Sequence, residues 1–521
     1  MQRQPKRHDA YRNRLSRPWP RPRPMQEVPL QTTVKENPKG DSGMSPLREV
    51  AFVLIICTAQ LCPQAGIGQV LPILHVVGAH FGNEGNTDMS RVIAGYCAVL
   101  GTVMIVAGRL GEVLGYKRVF LAGFFWSAVW SAIVGGSYYS SPALLLASRA
   151  LQGLGLALSL PNGLALLGCT YTAGKRKAAI FALYASMSPI GLLAGAAGAS
   201  AFTLSWWPLT YWAFALVLLL VVIFGFLVIP NSIQTAKVPT DTGEAMRELD
   251  VPGMITCVSC LVLIGFAWNQ AAFVGWQQPY IWVAVIVGCV LGVLFVLIEG
   301  FNAPKPLIPF QALPAEVLWV LVAVAGVWSS FGVWIFYTWQ FVLSFRTSSP
   351  FLSTAYFSPL VVAGCLAVVI TGLTLRKLGP MFTLGIASIS LVGGSMLIVN
   401  LPVVQAYWGQ LLISMITVGL GLDISIPAAT LLISTLVDKR YHGVMANVVS
   451  AVTYYSIAIG LGIAGTIESN ILKGIKAALL SGAGMAAMGL LVCATLAYKQ
   501  RRQRRKRCCN CHGVVGDHHQ I

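Results

Sequence analysis

Fourteen continuous apolar runs, each long enough to cross a bilayer, constrain this chain more than any motif in it. They lie at 50–74, 89–107, 118–136, 142–170, 178–202, 207–229, 252–270, 280–299, 316–342, 353–373, 380–399, 407–436, 444–466 and 477–498. A helix needs about 20 apolar residues to cross the hydrocarbon core. Lipid offers the backbone no hydrogen bonds, so a spanning segment must be a helix or part of a closed barrel. The runs are unbroken rather than alternating, which selects helices. Only 10% of residues are charged and 56% are hydrophobic, whereas a soluble domain needs roughly 25% charged residues to wet its surface. The expected fold class is an all-α polytopic membrane protein.

The placement of charge tests the count. Arg109, Lys117 and Arg118 mark one loop, and Lys175, Arg176 and Lys177 a second. Arg376 with Lys377, and Lys439 with Arg440, mark two more. The loops between them, 75–88, 137–141, 203–206, 271–279 and 400–406, are nearly free of positive charge; Arg346, Lys473 and Lys476 are the exceptions. Lys and Arg gather on the cytoplasmic side, so an even number of spans puts both polybasic tails there. The net charge of +18 is thereby explained without a nucleic-acid partner, and no folded soluble module is present to bind one.

The tails frame the spans. Residues 1–48 read as a disordered basic cytoplasmic arm, rich in arginine and proline. Residues 499–521 read as a second polybasic tail. Its Cys508, Cys509 and Cys511 beside basic residues and a membrane fit S-palmitoylation, with an idle reduced tail as the alternative. A zinc site needs two spaced ligand pairs on a folded turn, so no metal is expected. Cys257 and Cys260 lie inside a span without nearby charge and read as packing. No cleavable signal peptide is visible.

Two segments recur. Gly153-Leu-Gly-Leu-Ala-Leu-Ser-Leu-Pro161 returns as Gly419-Leu-Gly-Leu-Asp-Ile-Ser-Ile-Pro427, and the turn from Gly108 to Gly115 returns as Gly372 to Gly379. The offsets are 266 and 264 residues, so span two maps onto span ten and span four onto span twelve. Eight spans separate the copies. The expected architecture is two six-helix bundles, 49–230 and 316–498, with two helices inserted between them in 231–315. Parallel repeats of this kind rock about a site near the membrane midplane.

These residues resemble the major facilitator superfamily, in its fourteen-span drug–proton antiporter branch. Gly108-Arg-Leu-Gly-Glu-Val-Leu-Gly-Tyr-Lys-Arg118 is similar to the family's loop between spans two and three. Arg149-Ala-Leu-Gln-Gly-Leu-Gly155 is similar to its span-four motif, and Pro189-Ile-Gly-Leu-Leu-Ala-Gly-Ala-Ala-Gly198 to its span-five antiporter motif. The strings Gln60 to Pro72 and Gly421 to Pro427 resemble the fungal aminotriazole-resistance and low-affinity ammonium transporter group. The chain departs from the pattern at Glu112, where aspartate is usual, at Val113, where a base is common, and at Ala196, where a central proline is usual. Gln60, Gln64 and Gln69 stand in span one where many such antiporters carry an acid.

The resemblance implies that Arg149, with Gln152 one turn on, takes part in proton coupling; a structural cation is the alternative. It implies that Gly108, Arg109, Glu112, Gly115, Lys117 and Arg118 form a cytoplasmic gating latch, against a plain positive-inside anchor. From the residues themselves, Asp423 is the main candidate. A carboxylate within a span costs about 2.5–3.5 kcal/mol on insertion scales and is functional by default. It is expected to bind a proton or a cationic substrate, against a helix-packing hydrogen bond. Gly191, Gly195 and Gly198 share one helix face and suit close packing. Gln60, Gln64, Trp328, Phe331, Trp334 and Tyr337 are candidates for lining a cavity, against lipid-facing positions for the aromatics.

No Gly-x-x-x-x-Gly-Lys-Ser/Thr loop and no ordered catalytic triad occur, so an enzyme is not expected and no cofactor is called for. Energy must come from a gradient, and one charge crossing 100 mV releases about 2.3 kcal/mol. The expected function is proton-coupled efflux of a small organic toxicant, drug or metabolite. Passage of a small inorganic solute such as ammonium or borate is one alternative, and a non-transporting sensor on the same fold another. A monomer in the plasma membrane is expected, with the vacuolar membrane as the alternative.

Overall fold

The computed structural model describes residues 44–82, 86–172, 174–203, 206–231, 249–301, 306–310, 313–345, 349–402, 406–470 and 474–515, with side chains except at 86–88, 203, 376, 500 and 503–515. The described residues contain fourteen helices long and apolar enough to cross a membrane. They are α1 (Pro46–Gly68), α2 (Asn86–Leu114), α3 (Tyr116–Gly136), α4 (Pro142–Thr170), α5 (Lys175–Thr203), α6 (Pro208–Val228) and α7 (Val251–Val274). Then follow α8 (Pro279–Phe301), α9 (Ala315–Phe345), α10 (Ser358–Leu378), α11 (Pro380–Val399), α12 (Gln410–Ser434), α13 (His442–Asn470) and α14 (Gly474–Val515). The count and the order agree with the apolar runs.

Local chemistry sets the helix ends. Proline opens α4, α6 and α11 at their first residues, where its missing amide costs nothing. The Ser141 hydroxyl accepts from the Leu144 amide and caps α4. Gly115 and Gly379 hold φ of 98° and 82° at the turns into α3 and α11, a region that a Cβ disfavours. Span one differs from expectation in being broken. Pro63 lies inside α1, and after Gly68 the chain makes a short 3-10 turn, Leu71–Ile73, before resuming as the helix Leu74–His80.

Helices α1–α6 form one six-helix bundle and α9–α14 the other, with α7 and α8 inserted. The internal repeat is visible in atomic contacts. A methyl built on Gly153 of α4 would stand 2.6 Å from the Tyr96 carbonyl oxygen of α2; one on Gly419 of α12 would stand 2.5 Å from the Leu360 carbonyl oxygen of α10. Likewise Gly155 meets the Gly123 carbonyl of α3 at 2.4 Å, and Gly421 the Ala387 carbonyl of α11 at 3.1 Å. Both acceptor pairs, Tyr96 with Leu360 and Gly123 with Ala387, are 264 residues apart. The glycines are kept small because a neighbouring backbone passes there.

The bundles meet where α2 packs on α13 and where α5 packs on α10. The inserted pair stays outside both. Helix α7 leans on α2 and α13, and the spans of α7 and α8 are only 28% and 22% buried, against 72% for those of α2, α9 and α13. A helix that is apolar all round yet exposed in the folded chain faces lipid.

Candidate functional site

A cavity of about 370 Å³ lies between the two bundles. Its walls come from α1 (Gln60, Gln64), α4 (Leu160, Leu164), α5 (Phe181, Tyr184, Ser188), α10 (Thr371, Leu375), α12 (Asp423, Thr430) and α13 (Ser450, Thr453, Tyr454). The lining positions on α4, α10 and α12 fall in the last halves of those helices, and those on α5 and α13 in the first halves. Every one of those halves adjoins a loop marked by Lys or Arg, so the cavity occupies the basic half of the membrane span.

Among the described residues, Asp423 is the one charged residue in that lining. It stands at the inner end, where the cavity meets a small niche lined by Gln64, Pro189, Phe331 and Leu360. Its carboxylate lies over Gly364 of α10, where a Cβ would come within 2.3 Å of Oδ2 and 3.0 Å of Pro189. Among the described residues no cation faces it. The walls around it are amides, hydroxyls and apolar groups. Such a site can take up a proton or a cation, since both relieve an uncompensated charge in a low-dielectric interior.

Arg149 is fully buried, but away from this cavity. Its guanidinium donates to Gln152 Oε1 at 2.5 Å and to the Gly66 carbonyl at 2.6 Å. It also lies over the rings of Tyr96 at 4.5 Å and Tyr211 at 5.7 Å. The break in span one creates this arrangement. The Val70 amide bonds to Ile67, which leaves the Gly66 carbonyl without its intrahelical donor. Arg149 replaces that donor, and the Tyr96 hydroxyl donates to the Pro63 carbonyl at 2.9 Å in the same region. Irregular backbone at membrane depth requires such partners.

The segment Gly108 to Gly115 forms the last turns of α2 and the break before α3. Gly108 lies against the Asn447 side chain of α13, 2.1 Å from where a Cβ would stand, so the end of α2 touches the opposite bundle. Gly111 faces Asn162 of α4. Arg109 pairs with Glu112 at 2.6 Å, and Arg118 is exposed. Lys117, a member of the latch group, is buried. Its Nζ donates to the carbonyls of Phe226 (3.0 Å) and Ile229 (2.6 Å) and to Asn231 Oδ1 (2.8 Å). The two carbonyls stand at the end of α6, where the helix offers them no further amide.

Two further expectations are corrected. Gly191 and Gly195 pack on the carbonyls of Leu61 and Ala65 in α1, but nothing stands within 4 Å of a Cβ on Gly198. That end of α5 packs instead on the 3-10 turn Leu71–Ile73 and on a short helix, Pro350–Tyr356, to which Ser200 bonds. Of the aromatic row in α9, only Phe331 reaches the niche beside Asp423. Trp328 and Trp334 are buried within their own bundle, donating to Ser425 and Ser414 of α12 at 3.0 Å each. Tyr337 donates to Glu468 of α13 at 2.8 Å. The Cys508, Cys509 and Cys511 side chains, the arm 1–43, Arg346 and Lys473 lie outside the described residues.

The sequence reading did not single out Tyr184, Gly364 or Asn162. Each is identified by a contact across helices rather than by spacing along one. Gln64, a cavity candidate from the sequence, does line the cavity and donates to the Tyr454 hydroxyl of α13 at 3.3 Å.

Two pseudo-repeated six-helix bundles around a central, partly polar cavity define a membrane transporter of the alternating-access class. The sequence pattern of the Major Facilitator Superfamily matches residues 56–463, and the chain belongs to that family. It is 40% identical over 471 residues to a low affinity ammonium transporter of Saccharomyces cerevisiae, covering 89% of this chain and 91% of the relative. It is 35% identical over 464 residues to the efflux pump terJ of Aspergillus terreus, covering 87% and 89%. Its fold is similar to the crystal structure of the peptide transporter POT in complex with sulfate, with a TM-score of 0.63, 15% identity, and coverage of 86% and 94%.

Proposed function

We propose that this protein is a proton-coupled exporter of small organic solutes and that Asp423 carries the coupled proton. The observation behind this reading is the lone carboxylate at the inner end of the cavity, with no cation facing it among the described residues. A carboxylate there is stable once it holds a proton or a cation. Exchange of one for the other between two cavity orientations is the chemistry of antiport. The similarity to a relative named as an efflux pump supports the outward direction.

The rocking units are the bundles 49–230 and 316–498, with 231–315 carrying the inserted pair. Positive charge at alternate loops supports a cytoplasmic basic end and cytoplasmic termini. In that orientation the cavity belongs to an inward-facing arrangement. The protein acts as a monomer, in the plasma membrane or alternatively the vacuolar membrane. Arg149 and Gln152 serve the coupling by holding the break in α1.

A second reading rests on the 40% identity to a relative named as a low affinity ammonium transporter. A carboxylate beside Thr453, Tyr454 and Gln64 also suits a small inorganic cation. Proteoliposomes holding wild type or Asp423→Asn, challenged with organic toxicants, ammonium and borate, separate the readings. Substrate-dependent proton movement lost in the variant is the expected result. Ammonium flux without proton counterflow in either protein replaces antiport with facilitated passage, and no flux of any solute leaves a sensor on the same fold.

A further inference from the structure

The inserted helices carry a second pair of acids, far along the sequence from the cavity residues. Asp250 precedes α7 and Glu299 closes α8, so the antiparallel pair brings both to the basic end. Each residue is more than nine-tenths buried, at 7% and 6% exposure. Asp250 sits in the left-handed region with φ 48°, and its Oδ1 accepts the Gly253 amide at 3.3 Å. Glu299 Oε1 accepts the Leu307 amide at 3.1 Å, in the segment that leads on to α9. Both carboxylates converge over Gly253. A Cβ there would lie 2.2 Å from Asp250 Oδ2 and 3.0 Å from Glu299 Oε1.

The remaining oxygens decide the chemistry. Asp250 Oδ2 and Glu299 Oε2 are buried and have no hydrogen-bond partner. Among the described residues no lysine, arginine or histidine reaches the pair, and Cys257 of α7 is the further titratable neighbour. Helices α7 and α8 contain no other acidic or basic side chain. On the helices that α7 packs against, Arg109 of α2 is paired with Glu112, and His442 of α13 meets the Val437 carbonyl. Two buried carboxylates sharing one site without a cation cannot both be ionised at low cost. A single proton shared by the pair turns one carboxyl into a donor and leaves the other an acceptor, so the two no longer repel.

We propose that Asp250 and Glu299 form a second proton-binding site, outside the transport cavity, in which one proton is held between two carboxylates. With that proton in place, the pair clasps the start of α7 to the end of α8 and, through Leu307, to the segment entering the second bundle. Removal of the proton sets two like charges against each other and loosens the clasp. The inserted pair then carries its own protonation state, independent of Asp423.

Infrared pH-difference spectra of the full-length protein in lipid nanodiscs test this, with Asp423→Asn as the background so that the cavity acid is silent. A carboxylic-acid C=O band at neutral pH is expected in that background, lost in both Asp250→Asn and Glu299→Gln. A band that vanishes already in Asp423→Asn overturns the proposal, because the cavity acid was its source. A band that survives Asp250→Asn and disappears only in Glu299→Gln also overturns it, since Glu299 then holds a proton alone. Thermal stability that depends on sodium or potassium, with no band, shows a cation bridge instead. Carbodiimide labelling of the natural chain needs no variant: modification of one carboxyl of the pair, suppressed at alkaline pH, is expected, and an unlabelled pair at neutral pH refutes it.

Discussion

The Gln64 side chain donates to the Tyr454 hydroxyl at 3.3 Å, a hydrogen bond that joins α1 of the first bundle to α13 of the second at the cavity wall. Alternating access requires contacts of this kind to form in one orientation and part in the other. A buried hydrogen bond contributes about 0.5–1.5 kcal/mol net, and 1.4 kcal/mol is a tenfold change in an equilibrium. Tyr454→Phe, which keeps the ring, is expected to shift the balance of orientations by about two- to tenfold. Spin-label distances between the basic ends of the bundles measure it. An unchanged distance distribution removes this contact from the gate.

Gly364 leaves the space that the Asp423 carboxylate fills. A methyl there would stand 2.3 Å from Oδ2 and about 3 Å from Pro189, so the carboxylate or α10 must move. If Asp423 carries the proton as proposed, Gly364→Ala is expected to reduce transport at least tenfold, the loss being one of geometry at that carboxylate. Gly393→Ala is the control, because nothing lies within 4 Å of a Cβ at that position. Replacing a helical glycine by alanine in open space is worth about 0.5–1 kcal/mol of stability. Equal activity in the two variants refutes the assignment.

What the sequence reveals and what it hides divide along a physical line. The spans are legible because lipid admits no other solution for long apolar runs, and the repeat because Gly153 and Gly419 mark places where a backbone must pass. Asp423 is legible because an acid within a span is costly. The direction in which a side chain points is not, since that depends on helices far away in sequence. Trp328, Phe331 and Trp334 recur every three residues, yet Ser425 and Ser414 draw two of them into the bundle and leave Phe331 at the niche. Lys117 looks like a surface base until the unpaired end of α6 is seen beside it.

Arg149 tests whether a buried charge serves coupling by titrating or by positioning. Its fork spans Gln152 Oε1 and the Gly66 carbonyl. Lysine keeps the charge but cannot reproduce two directed donors. Arg149→Lys is expected to lower stability by about 1–3 kcal/mol, the cost of one unpaired buried carbonyl. It is also expected to lower maximal transport while leaving the pH midpoint of transport unchanged. Thermal unfolding and a pH profile of flux check both parts. A displaced midpoint makes Arg149 part of the proton-binding group itself.

Lys117 ties the start of α3 to the end of α6, and this role is separable from any latch formed by the residues around it. Its three acceptors, Phe226, Ile229 and Asn231, would each lose a charged donor in Lys117→Met. Hydrogen bonds to charged groups are worth about 1.5–3 kcal/mol, and buried carbonyls left unpaired cost about 1–3 kcal/mol. The variant is expected to be destabilised by a few kcal/mol, more than Arg118→Met, whose side chain is exposed. If the turn worked as a latch through its positive charge, both substitutions would alter transport alike with little effect on unfolding. Parallel thermal unfolding and flux measurements on the two variants distinguish these outcomes: a stability loss confined to Lys117→Met assigns the lysine to capping α6.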